Sequence, residues 1–326
     1  MKTIDGILNI NKPAGWTSQD VCAKLRSRLH IKKTGHTGTL DPMATGVLPV
    51  CIGKATRIIE YYDKDMKSYH AAMKLGLTTD TLDSTGDVLS RTAFRITDAD
   101  SSCEDKNSAP DIDADDAELV SFSTEDIKKA FENYTGEISQ IPPRYSALMV
   151  NGRRAYDLAR DGRDFELKAR KVMIPSNVVS SIDTEYGVVE FDVVCSKGTY
   201  IRTICDDIGR SLGCGAVMTA LERTGSGFFR IEDAADLMEL IEMTDDEIEA
   251  LIIPMDVTLE KLGCIELDSR RTKAFRNGNS SDAWSWRVKQ QTEFDDLYRV
   301  YERGSGSFLG IGKAADNTLT PQKVIV

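Results

Sequence analysis

The chain of 326 residues contains no apolar stretch near the roughly 18 residues that a membrane-spanning helix needs. Its first residues, MKTIDGILNINKP, include Asp5 and no long apolar segment, so we do not expect a secretory signal peptide. Three histidines are too few for a histidine-based metal centre. The seven cysteines are odd in number and form no CxxC pair, which argues against a disulfide framework and a zinc site. We therefore expect a cytoplasmic protein that holds no metal.

The net charge of −11 is unevenly distributed, because two blocks carry most of the acid. Residues 98–118 carry a net charge of −8 and residues 232–249 a net charge of −9, which leaves the remainder at +6. Residues 1–75 contain twelve Lys and Arg against six Asp and Glu. A basic face of this kind fits a polyanionic partner, although charge alone does not separate it from an ordinary surface.

Hydrophobic periodicity and cap residues predict a mixed set of elements. Ser18 is the predicted N-cap of a helix in QDVCAKLRSRL, and Ser123 with Asp126 has capping-box spacing before a second helix. KSYHAAMKLG alternates and predicts a half-buried strand that presents Tyr69. The strands IDGILNINKP, VLPVCIG and YGVVEFDVVCSKG and the helix TYIRTICDDIGRSL complete the main pattern.

Two regions differ from this main pattern. Residues 98–118 lack periodicity and predict a disordered acidic insertion, spanning about 97–122. After residue 253 the chain changes to short strands with turns, which predicts a small β-rich domain. We therefore divide the chain into residues 1–253 and 254–326 and predict an α+β fold.

One loop, TGHTGTLDPMATGVLP at residues 34–49, concentrates three glycines and two prolines around a single carboxylate, Asp41. Pro42 pushes Asp41 into an extended or turn conformation. Glycines let the backbone turn sharply or approach a ligand, and the hydroxyls of Thr37 and Thr39 can brace the loop. A lone Asp-Pro pair is usually only an Asx turn, but a loop this stiff favours a functional carboxylate.

Two further residues are candidates for chemistry. In CSKGTYIRT, Gly198 makes a corner and Arg202 follows in the first turn of a helix, where the helix dipole adds positive potential. Arg202 then either holds a functional carboxylate ionised or pairs only with a neighbouring acid such as Asp206. Tyr69 offers a flat ring and a hydroxyl, or is a structural tyrosine of the strand.

Five motifs taken together resemble those of the TruB family of bacterial tRNA pseudouridine-55 synthases. GHTGTLDPMATGVLPVCIGKAT resembles the catalytic motif. GILNINKPAGWTS, KSYHAAMKLGLTTDTLDSTGDV, QIPPRYSALMVNGRRAYDLAR and CSKGTYIRTICDDIGRSLGCGA resemble further family blocks in the family's order. FRNGN and FLGIGKA are similar to the family's PUA-type RNA-binding domain. The resemblance spans nearly the whole chain except residues 97–122 and 232–249, and it is far more specific than one short motif.

The resemblance implies an isomerase that converts a uridine in the T loop of tRNA, at tRNA position 55, to pseudouridine. The N1–C1′ bond breaks, the base turns, and a C5–C1′ bond forms, with no cofactor or metal. The implied fold is a mixed α/β catalytic domain with a central, mainly antiparallel sheet, followed by the small β-rich PUA-like domain. The expected substrate is tRNA, held at the T-arm and acceptor stem. We expect no obligate protein partner, no membrane contact and, by default, a monomer.

Residue by residue, the resemblance assigns three catalytic positions. Asp41 matches the aspartate that stabilises the developing charge on the sugar or attacks it covalently. Arg202 matches the arginine that pairs with that aspartate. Tyr69 matches the tyrosine that stacks on the target base, and its hydroxyl is the candidate participant in removing the C5 proton.

The remaining matched positions concern the bound RNA. His36 matches the histidine inserted into the T loop when the base flips out, although a loop-bracing histidine is the alternative. Lys12 and Tyr200 match positions lining the active site. The substrate-binding residues also include the loop residues Gly35, Thr37 and Gly38 and the basic, phosphate-contacting residues Arg144, Arg153, Arg154 and Arg160.

Three features depart from the family pattern. Met149 and Glu222 stand where the family usually has a basic residue, which predicts weaker phosphate contacts rather than slower chemistry. The acidic insertion would repel RNA near the cleft, so we expect it to project away from the RNA face.

Two alternatives to a stand-alone enzyme remain open. One is a relative of the guide-dependent synthases of archaea and eukaryotes, which act with partner proteins and a guide RNA. The other is a tRNA-binding and folding protein in which catalysis is secondary. Activity of the purified chain on bare tRNA would distinguish a stand-alone enzyme from a guide-dependent one. An Asp41→Asn variant would distinguish an enzyme from a folding protein, because tRNA binding and refolding should survive while isomerisation is lost.

Overall fold

The computed structural model describes residues 4–62, 64–97, 119–282, 286–292 and 294–325. Residues 98–118 of the predicted insertion, which was placed at about 97–122, lie outside the described residues. The predicted bounds were too wide, because Thr97 ends the strand Phe94–Thr97 and residues 120–122 lie in the strand Val120–Ser123. The chain forms two compact units. The first unit comprises the described residues of Met1–Asp41, Val47–Asp63 and Phe228–Val326, and the second comprises those of Pro42–Gly46 and Lys64–Gly227. No helix in the described part of the chain is both long enough and apolar enough to cross a membrane.

The described residues form strands and helices that are numbered here in chain order. The strands are β1 (Gly6–Lys12), β2 (Thr34–His36), β3 (Thr45–Ile52), β4 (Lys67–Leu75), β5 (Leu77–Thr79), β6 (Val88–Arg91), β7 (Phe94–Thr97), β8 (Val120–Ser123), β9 (Gly136–Gln140), β10 (Met149–Val150), β11 (Arg153–Arg154), β12 (Arg170–Ile174), β13 (Ser176–Asp183), β14 (Val188–Cys195), β15 (Ala216–Ser226), β16 (Phe229–Arg230), β17 (Ala235–Asp236), β18 (Gly263–Leu267), β19 (Ser281–Asp282), β20 (Trp286–Gln290), β21 (Leu297–Glu302), β22 (Phe308–Ala315) and β23 (Thr318–Val324). The α-helices are α1 (Ser18–Arg28), α2 (Thr124–Glu132), α3 (Ala155–Arg160), α4 (Ile201–Ser211), α5 (Leu237–Glu242), α6 (Asp245–Ala250) and α7 (Ser269–Arg276), and short 3-10 segments cover Gly53–Tyr62, Ile231–Asp233 and Val257–Leu259.

Side-chain caps explain where the first two helices begin. The predicted capping box of Ser123 and Asp126 is present at the start of α2. The predicted N-cap of α1 was wrong by one residue, because Thr17 caps this helix in a capping box with Asp20. The hydroxyl of Ser18 is turned to a different partner, described below.

In the second unit, β14 pairs antiparallel with both β13 and β4, and β15 pairs antiparallel with β4. The first two residues of β3, Thr45 and Gly46, run parallel to β15 beside Glu222 and Arg223. As the alternating pattern predicts, Ala71, Met73 and Leu75 of β4 are buried while the intervening residues are partly exposed. This part of the fold is therefore a mainly antiparallel sheet whose last pairing is parallel.

In the first unit, β1 runs parallel to β17 and β2 runs antiparallel to β3. The C-terminal segment forms a six-stranded sheet in the order β19-β23-β22-β21-β18-β20 around its own small core. A second core combines residues from both ends of the chain: Ile7, Val47, Cys51, Ala55, Ile58 and Tyr62 with Phe229, Met255, Leu259, Leu262, Ile311 and Ile325. The predicted α+β fold with a β-rich C-terminal part is confirmed, and the boundary at residue 253 stays a prediction.

Candidate active site

The loop that carries Asp41 is closed at its base by the pairing of β2 with β3. His36 lies opposite Val50, and the Thr37 N–H donates to the Pro49 carbonyl at 3.1 Å. A side chain at Gly35 would place its Cβ 2.8 Å from Ile59 Cδ1, so the tip of the Ile59 side chain would have to shift to admit it. Gly38 and Asp41 follow, both half-buried. The loop therefore leaves the sheet from a tightly paired base.

The residue before Asp41 is held by a contact that the sequence alone did not suggest. The Ser18 hydroxyl accepts a hydrogen bond from the Leu40 N–H at 2.8 Å and donates one to the Leu40 carbonyl at 3.2 Å. Ser18 is 2% exposed and Leu40 is 4% exposed. The start of α1 thus fixes the backbone immediately before the carboxylate.

The other end of the loop is fixed at Gly46, which has φ of +95°. A Cβ at this position would lie 2.3 Å from the carbonyl oxygen of Arg223 on β15. Gly46 is therefore required both by its backbone conformation and by the close approach of the neighbouring strand. Because Arg223 also pairs with Tyr69 of β4, the end of the loop is one strand removed from Tyr69.

Arg202 lies in the first turn of α4, as predicted, and its side chain is 6% exposed. One terminal nitrogen donates to the Thr81 carbonyl at 2.9 Å and lies 3.4 Å from Asp83 Oδ2, and the other donates to the Tyr145 carbonyl at 3.1 Å. Asp83 is also buried. Because both terminal nitrogens of the planar guanidinium have hydrogen-bond partners, the group keeps one orientation and the position of its positive charge is fixed.

Asp206, the acid considered as a partner for Arg202, is buried and pairs with Arg210 at 2.9 Å. Both Arg202 and Arg210 lie four residues from Asp206 on the helix, but that alternative is wrong because Asp206 pairs with Arg210 and Arg202 pairs with Asp83. The sequence also could not reveal the pairing with Asp83, which lies far from Arg202 along the chain. Asp83 stands in LTTDTLDSTGDV, a segment that resembles a family block, and this was the only signal pointing to it.

Tyr200, the N-cap residue of α4, is fixed through its backbone. The Gln140 side chain accepts from the Tyr200 N–H at 2.8 Å and donates to its carbonyl at 3.0 Å. Gln140 is 2% exposed, which makes this amide pair a buried clamp on the start of the helix. Sequence reasoning missed Gln140, whose signal was its place in the family-like block that begins QIPPRYSA.

Lys12 is fully buried, and its ammonium donates to the carbonyls of Pro13 at 2.9 Å and Trp16 at 2.7 Å. It therefore braces the turn between β1 and α1. Tyr69 is half-buried in β4, opposite Arg223 on one side and Val193 on the other.

The predicted basic run is exposed and held close to the surface by local contacts. Arg144 lies 3.6 Å from Asp164 and over the ring of Phe165, and Arg153 pairs with Asp161 at 2.8 Å. Arg154 donates to the Ala147 carbonyl, and Arg160 lies over the ring of Tyr156. Because Tyr145 accepts from Arg202, this basic segment begins next to the residue that helps to orient Arg202.

No group of His, Cys, Asp or Glu among the described residues has the arrangement of a metal site. The six described cysteines are free. Burial raises the pKa of the Cys22 and Cys195 thiols to about 11, so at neutral pH neither is a thiolate nucleophile. Neither of these two thiols is therefore a candidate for the reactive group of the site.

Family models match almost the whole chain. "TruB family pseudouridylate synthase (N terminal domain)" matches residues 26–108 and 100–201, "tRNA pseudouridylate synthase B C-terminal domain" matches residues 202–260, and "Pseudouridine synthase II TruB, C-terminal" matches residues 263–325. The first match covers residues 97–122 and the second covers residues 232–249, so leaving these two segments out of the family resemblance was wrong.

Individual proteins agree with these matches. The chain is 41% identical to the tRNA pseudouridine synthase B of Clostridium kluyveri over 99% of this chain and 100% of that protein. It is also 41% identical to the protein of the same name from Clostridioides difficile, over 96% of each chain. A solved structure titled "Crystal Structure of a Cbf5-Nop10-Gar1 Complex" superposes with a TM-score of 0.70 at 25% identity, covering 98% of this chain and 85% of that one.

These matches define an enzyme class, the pseudouridine synthases. Within that class, the chain belongs to the TruB family. The predicted family, fold and enzyme class are confirmed.

Proposed function

We propose that this chain isomerises a uridine in the T loop of tRNA, at tRNA position 55, to pseudouridine. The observation that carries the proposal is the Asp41 loop, whose backbone is held at Leu40 by Ser18 and at Gly46 by the approach of Arg223. A carboxylate on so rigid a loop can meet a sugar carbon at one fixed position. The curated relatives that match along their full length carry the name tRNA pseudouridine synthase B.

In the proposed reaction, the glycosidic N1–C1′ bond breaks and positive charge develops on the sugar. Asp41 stabilises that charge or forms a transient bond to the sugar, and both routes fit a single carboxylate. The freed base turns and its C5 bonds to C1′, the proton on C5 is lost to solvent, and N1 gains a proton. Tyr69 is assigned the stacking role and a part in removing the C5 proton, and Arg202 the positive charge of the site. The chemistry needs no cofactor.

We further propose that the T-arm and the acceptor stem of tRNA are both contacted. His36 takes the space of the flipped base, and Gly35, Thr37 and Gly38 frame that insertion. Exposed guanidinium groups bind phosphates by paired, charge-assisted hydrogen bonds. We assign phosphate binding to the exposed residues Arg144, Arg153, Arg154 and Arg160. In the C-terminal part we assign the same role to the exposed cations of α7, which are Arg270, Lys273 and Arg276.

The guide-dependent alternative is not favoured, because the relatives at about 40% identity are named tRNA pseudouridine synthase B and match over nearly the whole chain. The similarity to the Cbf5-containing complex lies at 25% identity and supports the common fold. A monomer that acts in the cytoplasm without obligate protein partners remains our prediction. A secondary role in tRNA folding is compatible with the same surfaces.

The experiment is tritium release from a tRNA transcript labelled at uridine C5, with purified protein and no cofactor, guide RNA or second protein. We expect release equal to one uridine per tRNA. A matched transcript with cytidine in place of the T-loop uridine should release none. Folded protein that binds the transcript but releases no tritium would contradict the stand-alone enzyme and favour a partner-dependent one.

A further inference from the structure

The backbone of Leu40, the residue before Asp41, is bonded on both polar atoms by one side chain. The Ser18 hydroxyl accepts from the Leu40 N–H at 2.8 Å and donates to the Leu40 carbonyl at 3.2 Å. Both residues are buried. Buried backbone groups need hydrogen-bond partners, so this hydroxyl replaces the strand or helix partner that a loop residue otherwise lacks.

The Ser18 hydroxyl is available for this contact because a neighbour performs the capping. The Thr17 hydroxyl accepts from the Asp20 N–H at 3.0 Å, and Asp20 Oδ2 accepts in turn from the Thr17 N–H at 3.0 Å. Ser18 is therefore not needed to cap α1. Its two hydrogen bonds point out of the helix to the loop.

Ser18 also stands on a rigid element. Val21, Cys22 and Leu25 bury one face of α1 completely, and Thr34 beside the loop donates to the Cys22 carbonyl at 3.1 Å. A reactive group is held most accurately when its support comes from packed secondary structure. Two contacts therefore fix the loop to α1: Thr34 bonds to Cys22, and Leu40 bonds to Ser18.

We propose that Ser18 is a positioning residue for the isomerisation: its hydroxyl fixes Leu40 and thereby the backbone from which Asp41 projects. The inference rests on the proposed function of Asp41. A displacement of about 1 Å in a reacting group can reduce the rate about a hundredfold without changing substrate affinity. The consequence of losing the hydroxyl should therefore be found in kcat rather than in KM.

The test compares Ser18→Ala with the matched control Thr17→Ala, which removes a hydroxyl from the adjacent residue. Both variants are assayed by tritium release over a range of tRNA concentrations, and both are unfolded in urea. For Ser18→Ala we expect kcat to fall by about tenfold to a hundredfold with KM changed less than about threefold. For Thr17→Ala we expect lower stability with kcat within about twofold of wild type, because only the helix cap is lost.

Equal kcat values for Ser18→Ala and wild type would overturn the proposal, as would equal losses of kcat in both variants. An inactive wild-type protein would instead contradict the proposed function itself. Hydrogen exchange at the Leu40 amide of the intact wild-type protein gives a test that does not depend on folding of a variant. We expect exchange at least about a hundredfold slower than in an unstructured peptide. Exchange at the peptide rate would show that the Ser18 contact is not maintained in solution.

Discussion

At residue scale, Gly46 shows how one position can determine the geometry of the loop. A side chain there meets both an unfavourable φ of +95° and the Arg223 carbonyl at 2.3 Å. Gly136 is a matched control, because its φ is +85° but no atom lies within 4 Å of a Cβ built on it. A comparison of alanine substitutions at these two positions therefore distinguishes the cost of backbone strain from the cost of steric overlap.

We predict that Gly136→Ala loses about 1–2 kcal/mol of unfolding free energy, the cost of a left-handed alanine. Gly46→Ala should lose more, and its kcat/KM should fall at least about tenfold, because the end of the Asp41 loop must move away from β15. Urea unfolding and tritium release measure the two effects. Identical behaviour of the two alanine variants would show that the close approach at Gly46 carries no cost.

Asp206 provides a prediction about pH. It is 4% exposed, and burial raises its pKa above the ordinary 3.8 although Arg210 opposes the shift. The folded protein therefore binds this proton more tightly than the unfolded chain does. The free energy of unfolding consequently falls as the pH rises from 3.8 through the raised folded value.

We expect Asp206→Asn, which cannot ionise, to be more stable than wild type at pH 7. The difference should shrink as the pH falls and level off below 3.8, where the wild-type carboxyl is protonated in both states. Urea unfolding of both proteins, in steps from pH 7 to the lowest pH at which they fold, measures this. A difference that stays constant with pH, or a less stable variant at pH 7, would contradict the assignment.

At the scale of elements, the described residues beside the acidic insertion lie at the opposite end of β4 from Tyr69. The ring of Phe94 in β7 packs on the backbones of Gly76 and Gly187, where an added Cβ would lie 2.5 and 2.2 Å from it. Gly76 follows the last residue of β4. Tyr69 and Gly76 are seven positions apart, which corresponds to about 23 Å along an extended strand.

We predict that replacing residues 98–118 with about twelve Gly and Ser residues, enough for the connection between parallel strands β7 and β8, changes kcat/KM less than about twofold near 0.15 M salt. At this salt concentration, exposed charges that lie more than about 8 Å apart are largely screened from one another. Tritium release by both chains at the same salt concentration tests it. A large loss of activity would mean that the insertion has a positive role in binding or folding.

Local signals predicted elements well and contacts between elements poorly. The capping box at Ser123, the alternation along β4 and the helix after Gly198 were all readable, because each depends on residues a few positions apart. Ser18 was predicted as the N-cap in place of Thr17, although Thr17 and Asp20 have the local spacing of a capping box; the contact of Ser18 with the distant Leu40 was not readable. The partners of Arg202 and Tyr200 were missed for the same reason, because Asp83 and Gln140 lie more than fifty positions away.

At the scale of the whole molecule, the core of the first unit combines both ends of the chain. Met255, Leu259, Leu262, Ile311 and Ile325 are buried in the same cluster as residues from the first sixty-two positions. Exposing one such side chain costs about 1.5–3 kcal/mol. Removing all five side chains would therefore cost about as much as the roughly 5–15 kcal/mol of unfolding free energy that stabilises a typical domain.

We therefore predict that a fragment ending at residue 253 does not unfold cooperatively, although the sequence changes character at that point. Circular dichroism during urea titration, with the full chain as control, tests this. A fragment with a transition as sharp as that of the full chain would mean that residues 1–253 form an independent domain and that the shared core is dispensable.

We propose above all that Asp41 carries the chemistry of a tRNA pseudouridine synthase. The most direct measurement is tritium release from C5-labelled tRNA by Asp41→Asn beside wild type, together with the Kd of each protein for the same tRNA. We expect a loss on the order of a thousandfold or more in rate, with Kd changed less than about threefold, because the amide keeps the shape of the loop but not its charge. Release by Asp41→Asn within about tenfold of wild type would contradict it.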